Sequence, residues 1–289
     1  MAQTTDQWTT EKLLDWMTQS LESREVDSPR VLAEMLLTEV YGGNRIDLYA
    51  NAQRVATSDE REQLRMLIAR AMKHEPVQYI LGKSLFFGHE FSVNQSTLIP
   101  RSCTEVLVIQ AIEHCKNLTH TPRIADIGTG SGCIGLTLAK QLKDASVTLT
   151  DISTDALTLA QKNAENLGVS ELLTFTQGDG LEPLTGPFDV LCSNPPYIPS
   201  SEMDELAPNV KNWEPDLALH GGKDGLDVIR PLLEQSHNYL SENGCLLVEV
   251  SPSITAEIKA LLTSISTLQD SVILKDQFGD ERFLRAYKS

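Results

Sequence analysis

The chain has 289 residues, 41% of them hydrophobic, enough to bury one large core with length over for a second, smaller domain. Its formal charge is −16, with 9 basic against 13 acidic residues up to Gly82 and 15 against 27 beyond it; neither half offers the Lys and Arg excess that displaces counterions from a phosphate backbone, so naked nucleic acid is not an expected substrate. No apolar run approaches the roughly 20 residues that span a bilayer, and Met1-Ala2-Gln3-Thr4-Thr5-Asp6 holds no basic stretch leading into an apolar core, so a cytoplasmic protein that engages no membrane is expected.

Residues 1–82 read as an all-α domain. Trp8, Leu13, Leu14, Met17 and Leu21 lie at helical spacing. Ser28 and Pro29 form an N-cap and first-turn pair, Leu32, Met35, Leu36 and Val40 follow as a stripe, and Gly42-Gly43 stops it. Thr57 and Glu60 have capping-box spacing ahead of Leu64, Leu67, Ile68, Ala71 and Met72, and Pro76 ends that helix. A small bundle packed on its own apolar faces accounts for all of these residues. Residues 83–99 predict a β-hairpin linker, with Leu85-Phe86-Phe87 and Phe91-Ser92-Val93 divided by Gly88-His89-Glu90.

Over residues 100–289 strands and helices alternate. Strands are expected at Arg123 to Ile127, Val147 to Ile152, Leu173 to Thr176, Phe188 to Ser193 and Cys245 to Val250. Helices are expected after Ile127 to about Lys143, up to Gly168, and near Leu226 to Leu240 and Ile254 to Leu262. That order predicts a doubly wound α/β fold, a mostly parallel sheet with helices on both faces. Ser271 to Lys275 and Arg282 to Tyr287, joined by a turn at Gly279-Asp280, predict an antiparallel edge hairpin. The five cysteines, at 103, 115, 133, 192 and 245, form no Cys-x-x-Cys pair and read as reduced, mostly buried thiols, and the six scattered histidines give no metal site.

Two motifs carry chemistry. Asp126-Ile127-Gly128-Thr129-Gly130-Ser131-Gly132 lies between the first strand and first helix of the sheet, where glycines admit close approach of a ligand and a helix start offers unpaired N–H groups. After Gly130 the next glycine is at 132, with Cys133 where the third glycine of a dinucleotide fingerprint would fall. Asp126 is suited to ordering the loop and meeting an ammonium, Asp151 to accepting from ribose hydroxyls, and Asp179, in Gln177-Gly178-Asp179-Gly180, to accepting from an adenine amino group. Together they suit a nucleoside with a cationic tail. The second motif, Asn194-Pro195-Pro196-Tyr197, leaves the strand Phe188 to Ser193 on the same side of the sheet. A conjugated nitrogen is a poor nucleophile; the Asn194 side-chain oxygen and the Pro195 carbonyl can each accept one of its N–H groups, the prolines hold those acceptors in place, and Tyr197 can stack on the flat group. The plain alternative for either motif is a rigid turn.

Across most of its length the chain resembles the HemK-type (PrmC) glutamine methyltransferases of peptide chain release factors. The resemblance rests on Pro76-Val77-Gln78-Tyr79-Ile80-Leu81-Gly82, Leu98-Ile99-Pro100-Arg101 with Thr104-Glu105, the glycine loop, Asp151, Asn194 to Tyr197, Glu214-Pro215, Asp224-Gly225-Leu226-Asp227 and Asp276-x-x-Gly279-x-Glu281-Arg282. It implies a seven-stranded Rossmann-like methyltransferase sheet, S-adenosylmethionine as cofactor, the glutamine of a release-factor Gly-Gly-Gln motif as substrate, and an N-terminal domain that helps dock that partner. The cofactor-binding set is then Gly128, Thr129, Gly130, Ser131, Gly132, Asp151, Asp179, Gly180 and Asn194. The substrate-binding set is Asn194, Pro195, Pro196 and Tyr197, with Asn194, Pro195 and Tyr197 the catalytic members. The chain departs from the family pattern at Ser102-Cys103, which replaces a Pro and an acid, and at Glu249-Val250-Ser251 with Ile254, which lacks the usual Gly and Gln. The rival readings are a glutamine methyltransferase of a ribosomal protein, a DNA adenine or cytosine amino-methyltransferase, which would need a basic target-recognition segment, and a nonenzymatic cofactor-binding module.

Overall fold

The computed structural model describes residues 7–289; the reading of Met1 to Asp6 lies outside the described residues. The chain forms two compact units, Met1–Gly82 with Ala207–Trp213, and Lys83–Leu206 with Glu214–Ser289.

In the first unit, α1 (Thr10–Glu22) starts where the Thr9 side chain accepts from the Lys12 N–H, and it buries Leu13, Leu14, Met17 and Leu21. For α2 (Pro29–Tyr41), Ser28 occupies the N-cap position at φ 49 and its side chain makes no capping bond. The preset φ of Pro29 is what remains to start this helix, so the sequence reading was right about the boundary and wrong about the cap. A short α3 (Arg45–Ala50), not read from the sequence, begins where the Asn44 N–H donates to Asp47 Oδ2 at 2.7 Å. The expected capping box opens α4 (Ser58–Ala71): Glu60 N–H donates to Thr57 Oγ1 at 3.2 Å and Thr57 N–H to Glu60 Oε2 at 2.9 Å. With α5 (Val77–Leu81) these helices close a core around Met17, Leu21, Leu36, Leu37, Leu64 and Ile68.

The second unit opens with a hairpin, β1 (Lys83–Phe86) and β2 (His89–Ser92). Its turn is Phe87-Gly88, both at positive φ (50 and 76), so His89 and Glu90 belong to β2 and not to the turn expected there. The hairpin is fastened to this unit: Phe87 N–H donates to Glu105 Oε1 at 2.7 Å, and Ser92 N–H to Asn163 Oδ1 at 2.7 Å. The helix α6 (Glu105–Cys115) was not expected. Then follow β3 (Arg123–Ile127), α7 (Cys133–Gln141), β4 (Ser146–Asp151), α8 (Thr154–Leu167), β5 (Leu173–Gln177) and β6 (Phe188–Ser193). After α9 (Pro208–Lys211), which belongs to the first unit, come α10 (Ile229–Gln235), β7 (Leu240–Glu249), α11 (Thr255–Leu262), β8 (Leu268–Lys275) and β9 (Glu281–Lys288).

The seven-stranded sheet has the order β5-β4-β3-β6-β7-β9-β8. β3 to β7 are parallel, and β9 runs against both β7 and β8. The expected antiparallel edge pair closes the sheet, with β9 against β7 and β8 at the edge. Side chains alternate between two cores, as period two requires. Ile124, Val147, Val190 and Leu247 face one with Leu107 of α6 and Leu138 of α7. Ala125, Leu191, Leu246 and Leu284 face the other with Leu232 of α10 and Ile258 of α11. Cys115, Cys192 and Cys245 are buried free thiols, and Cys103 and Cys133 are half-buried free thiols. Among the described residues no helix is long and apolar enough to cross a membrane.

Candidate active site

From β3 the chain winds outward in both directions, to β4 and β5 on one side and to β6 and β7 on the other. A crevice opens at the C-terminal ends of the strands where the order reverses. Register brings the two motifs to this point. Ile127, last residue of β3, pairs with Ser193, last of β6, and the Ser193 hydroxyl donates to the Ile127 carbonyl at 2.8 Å. Gly128 and Asn194 therefore leave adjacent strand ends side by side. Asp151 and Gln177 end β4 and β5 as a register pair, which carries Asp151 and Asp179 to the same edge.

These residues wall a cavity of about 460 Å³. Gly128, Thr129, Gly130, Ser131, Asp151, Asp179, Gly180, Asn194, Pro195 and Pro196 all line it, with Ile127, Ile134, Ile152 and Val228 as apolar wall. Asp151 shapes the glycine loop as well as facing the cavity: Oδ2 accepts from Gly130 N–H and Oδ1 from Ser153 N–H, each at 2.9 Å. Burial raises its pKa, with the backbone N–H groups of Ser153, Gly130 and Ile152 working the other way.

Three sequence-predicted residues take other places. Gly132 is not on the cavity wall; it caps α7 at φ 83, where a Cβ would stand 2.7 Å from Leu136 Cδ1, so both the left-handed backbone and the packing call for glycine there. Tyr197 is also off the wall. Its ring packs against the second core and its hydroxyl donates to Glu249 Oε1 at 3.3 Å. Asp126 is completely buried beneath the loop, where Oδ2 accepts from the Thr129 hydroxyl at 2.6 Å and from Gly135 N–H at 2.8 Å. It orders the loop, as expected, but does not reach the cavity to meet an ammonium.

Burial pushes the Asp126 carboxyl up to about 6, and its two hydrogen bonds oppose the shift. A carboxyl raised in the folded state binds more protons there than in the unfolded chain, so its contribution favours folding increasingly as pH falls from above 6 toward the unfolded value of 3.8. Wild type should gain roughly 1 kcal/mol in unfolding free energy over Asp126→Asn between about pH 7.5 and about pH 5. Denaturant titration of both proteins checks this; a constant difference would contradict it.

The site also contains residues to which the sequence assigned no role. Arg101 lines the cavity and is ion-paired with Glu214, whose Oε2 accepts from Ile99 N–H at 3.1 Å; two motifs far apart in the chain thus meet at one wall. Thr104, also on the wall, donates its hydroxyl to Glu249 Oε2 at 2.6 Å and accepts from Asn194 Nδ2 at 3.5 Å. The Pro196-Tyr197-Ile198 segment is clamped by residues 219–225: Ile198 N–H donates to the Leu219 carbonyl and Gly221 N–H to the Ile198 carbonyl, each at 2.9 Å. All of these residues stood within or beside recognised motifs, and that was their one local signal.

The doubly wound sheet, with a cavity at its reversal point lined by the glycine loop, the Asn194-Pro195-Pro196 turn and an acid closing the neighbouring strand, belongs to a Rossmann-like methyltransferase. Residues 103–209 match the methyltransferase small domain and residues 12–82 the PrmC N-terminal domain. The fold is shared with a solved methyltransferase from Pyrococcus furiosus, 19% identical with a TM-score of 0.50 over 79% of this chain and 98% of that one. It is shared also with the delta-N METTL16 MTase domain, 18% identical with a TM-score of 0.52 over 70% and 89%. Within that class the chain belongs to the release factor glutamine methyltransferase family. The Rhodopirellula baltica member is 39% identical over 100% of both chains, and that of Geobacter sulfurreducens is 42% identical over 84% of each.

Proposed function

We propose that this methyltransferase transfers the methyl group of S-adenosylmethionine to the side-chain amide nitrogen of the glutamine in a release-factor Gly-Gly-Gln motif. The observation that carries the reading is the register pairing of Ile127 with Ser193, which sets the glycine loop and the Asn-Pro-Pro-Tyr turn on adjacent strand ends around one cavity. The residues present fit the cofactor. Each Asp151 oxygen keeps a lone pair beyond the backbone N–H it accepts, leaving it free for a ribose hydroxyl. Gly128, at φ 67, has no heavy atom within 4 Å of where a Cβ would stand, so the backbone there is open to close approach, and Asp179 at the rim suits an adenine amino group. When bound, S-adenosylmethionine supplies a methyl carbon on a sulfonium centre.

The protein's part is to hold the nucleophile. The Asn194 side-chain oxygen and the Pro195 carbonyl accept the two N–H groups of the carboxamide, and the nitrogen lone pair is thereby directed into the cavity. The helical unit is assigned the docking of the release factor, and the reaction belongs in the cytoplasm, where translation terminates.

Incubation with a labelled methyl donor and, in separate reactions, a release factor, a ribosomal protein and DNA tests the substrate. Label is expected on the release factor; label on DNA alone, or on no protein, would overturn the proposal. Asp151→Ala removes an acceptor for ribose and leaves Gly130 and Ser153 N–H unpaired. It should weaken S-adenosylmethionine binding about 10- to 100-fold, the equivalent of about 1.5–3 kcal/mol for a charged hydrogen-bonding group. Calorimetry reads this directly, and an unchanged affinity would remove Asp151 from the binding set.

A further inference from the structure

Asn194 is useful to a carboxamide only in one of its two amide orientations. With the oxygen toward the cavity it accepts an N–H of the substrate; turned over, it presents its own N–H groups to a donor, and the substrate loses its partner. The side chain itself is nearly symmetric in shape, so packing alone distinguishes the two poorly. Something polar behind it has to choose.

The groups behind it are Thr104 and Glu249. Glu249, the last residue of β7, has no exposed surface. Its Oε2 lies 2.6 Å from Thr104 Oγ1 and its Oε1 3.3 Å from the Tyr197 hydroxyl. Burial raises its pKa, and the hydrogen bonds from Thr104 and Tyr197 and the fields of Arg282 and Arg101 work the other way. Both hydroxyls donate to the carboxyl oxygens, which act as acceptors, and a threonine hydroxyl has a single proton. We propose that Glu249 and Thr104 are positioning residues for Asn194: Glu249 accepts the hydrogen bond that the Thr104 hydroxyl donates, the Thr104 oxygen is left as an acceptor, and the Asn194 amide is thereby held with its nitrogen inward and its oxygen toward the substrate. The same carboxylate, through Tyr197, fastens the other end of the Asn-Pro-Pro-Tyr turn. One buried side chain thus orients the first residue of the turn and anchors the last. The inference rests on the reading of Asn194 as the acceptor for a substrate amide.

The relay makes its own demand on variants. Thr104→Val keeps the shape and removes the hydroxyl, whereas Thr104→Ser keeps the hydroxyl. Glu249→Gln gives Thr104 a partner that can donate, which frees the hydroxyl proton to turn toward Asn194. Steady-state turnover of a release factor should fall in kcat about 10-fold for Thr104→Val and Glu249→Gln, short of the roughly 10²-fold cost of displacing a reacting group by an ångström. S-adenosylmethionine affinity by calorimetry should stay within about twofold, and Thr104→Ser should recover most of the rate. In the cofactor-free protein, the side-chain NH2 resonances of Asn194, identified by their loss in Asn194→Ala, should shift in Thr104→Val and in Glu249→Gln and return in Thr104→Ser. Unchanged kcat with unchanged Asn194 resonances in Thr104→Val would overturn the relay, as would a kcat loss that Thr104→Ser fails to recover. The resonance arm needs neither substrate nor cofactor, so an enzyme that proved inactive on release factors would defeat the functional reading and leave the relay decided on its own measurement.

Discussion

Asn194→Ala is expected to lower kcat on a release factor by about 10²- to 10³-fold, the loss that accompanies removal of a single preorganised polar group at a reacting centre, while S-adenosylmethionine affinity changes little. The asymmetry follows from position. The proposed cofactor contacts are spread over the glycine loop and the ends of β4 and β5, so most of them survive the loss of Asn194, one of two acceptors assigned to the substrate nitrogen. The Pro195 carbonyl survives the substitution, so the amide keeps one anchor and loses its orientation. A large loss of cofactor affinity with normal turnover at saturation would contradict the role.

The second large effect is expected at a residue that touches no ligand. A Cβ built on Gly221 would stand 2.8 Å from Tyr197 Cα and 2.9 Å from both the Pro196 and Gly225 carbonyl oxygens. All three are backbone atoms, which cannot rotate away as a side-chain tip can. Gly221→Ala must therefore displace the turn that carries the acceptors, or the loop that clamps it. Overpacking of this kind costs about 1–3 kcal/mol, and a shift approaching an ångström costs about 10²-fold in rate. We expect kcat to fall by about that factor, a modest drop in thermal stability and unchanged cofactor affinity, since the glycine loop lies on β3 and not on this clamp. Wild-type kcat in Gly221→Ala would mean that the turn tolerates movement and that its rigidity is not part of the catalysis.

What was legible in the sequence is what short-range physics marks. The Thr57 and Glu60 capping box, the period-two burial of the strands and the glycine loop between a strand and a helix are local patterns. So is the Asn-Pro-Pro-Tyr turn at the end of an apolar strand. The helix α6 escaped because the β-branched Val106, Val108 and Ile109 blur its helical period, and the Thr104 before it makes no capping hydrogen bond. The insertion of β9 between β7 and β8 escaped because pairs such as Cys245 with Tyr287 leave no local trace. The partner of Tyr197 was hidden for a related reason. An aromatic ring next to a reactive turn invites a stacking role, and the carboxylate that claims its hydroxyl comes 52 residues later. Thr104 and Glu249 are 145 residues apart; both stood beside recognised motifs, but their joint function exists only once the sheet is closed.

The destination of the methyl group is the most direct test of the proposed function. A release factor purified from cells lacking methylation, incubated with this protein and S-adenosylmethionine, should gain one methyl group per chain, and fragmentation of the Gly-Gly-Gln peptide should place it on the glutamine side-chain nitrogen. A methyl group on any other residue, or an unmodified Gly-Gly-Gln peptide after prolonged incubation with protein that binds the cofactor, would contradict it.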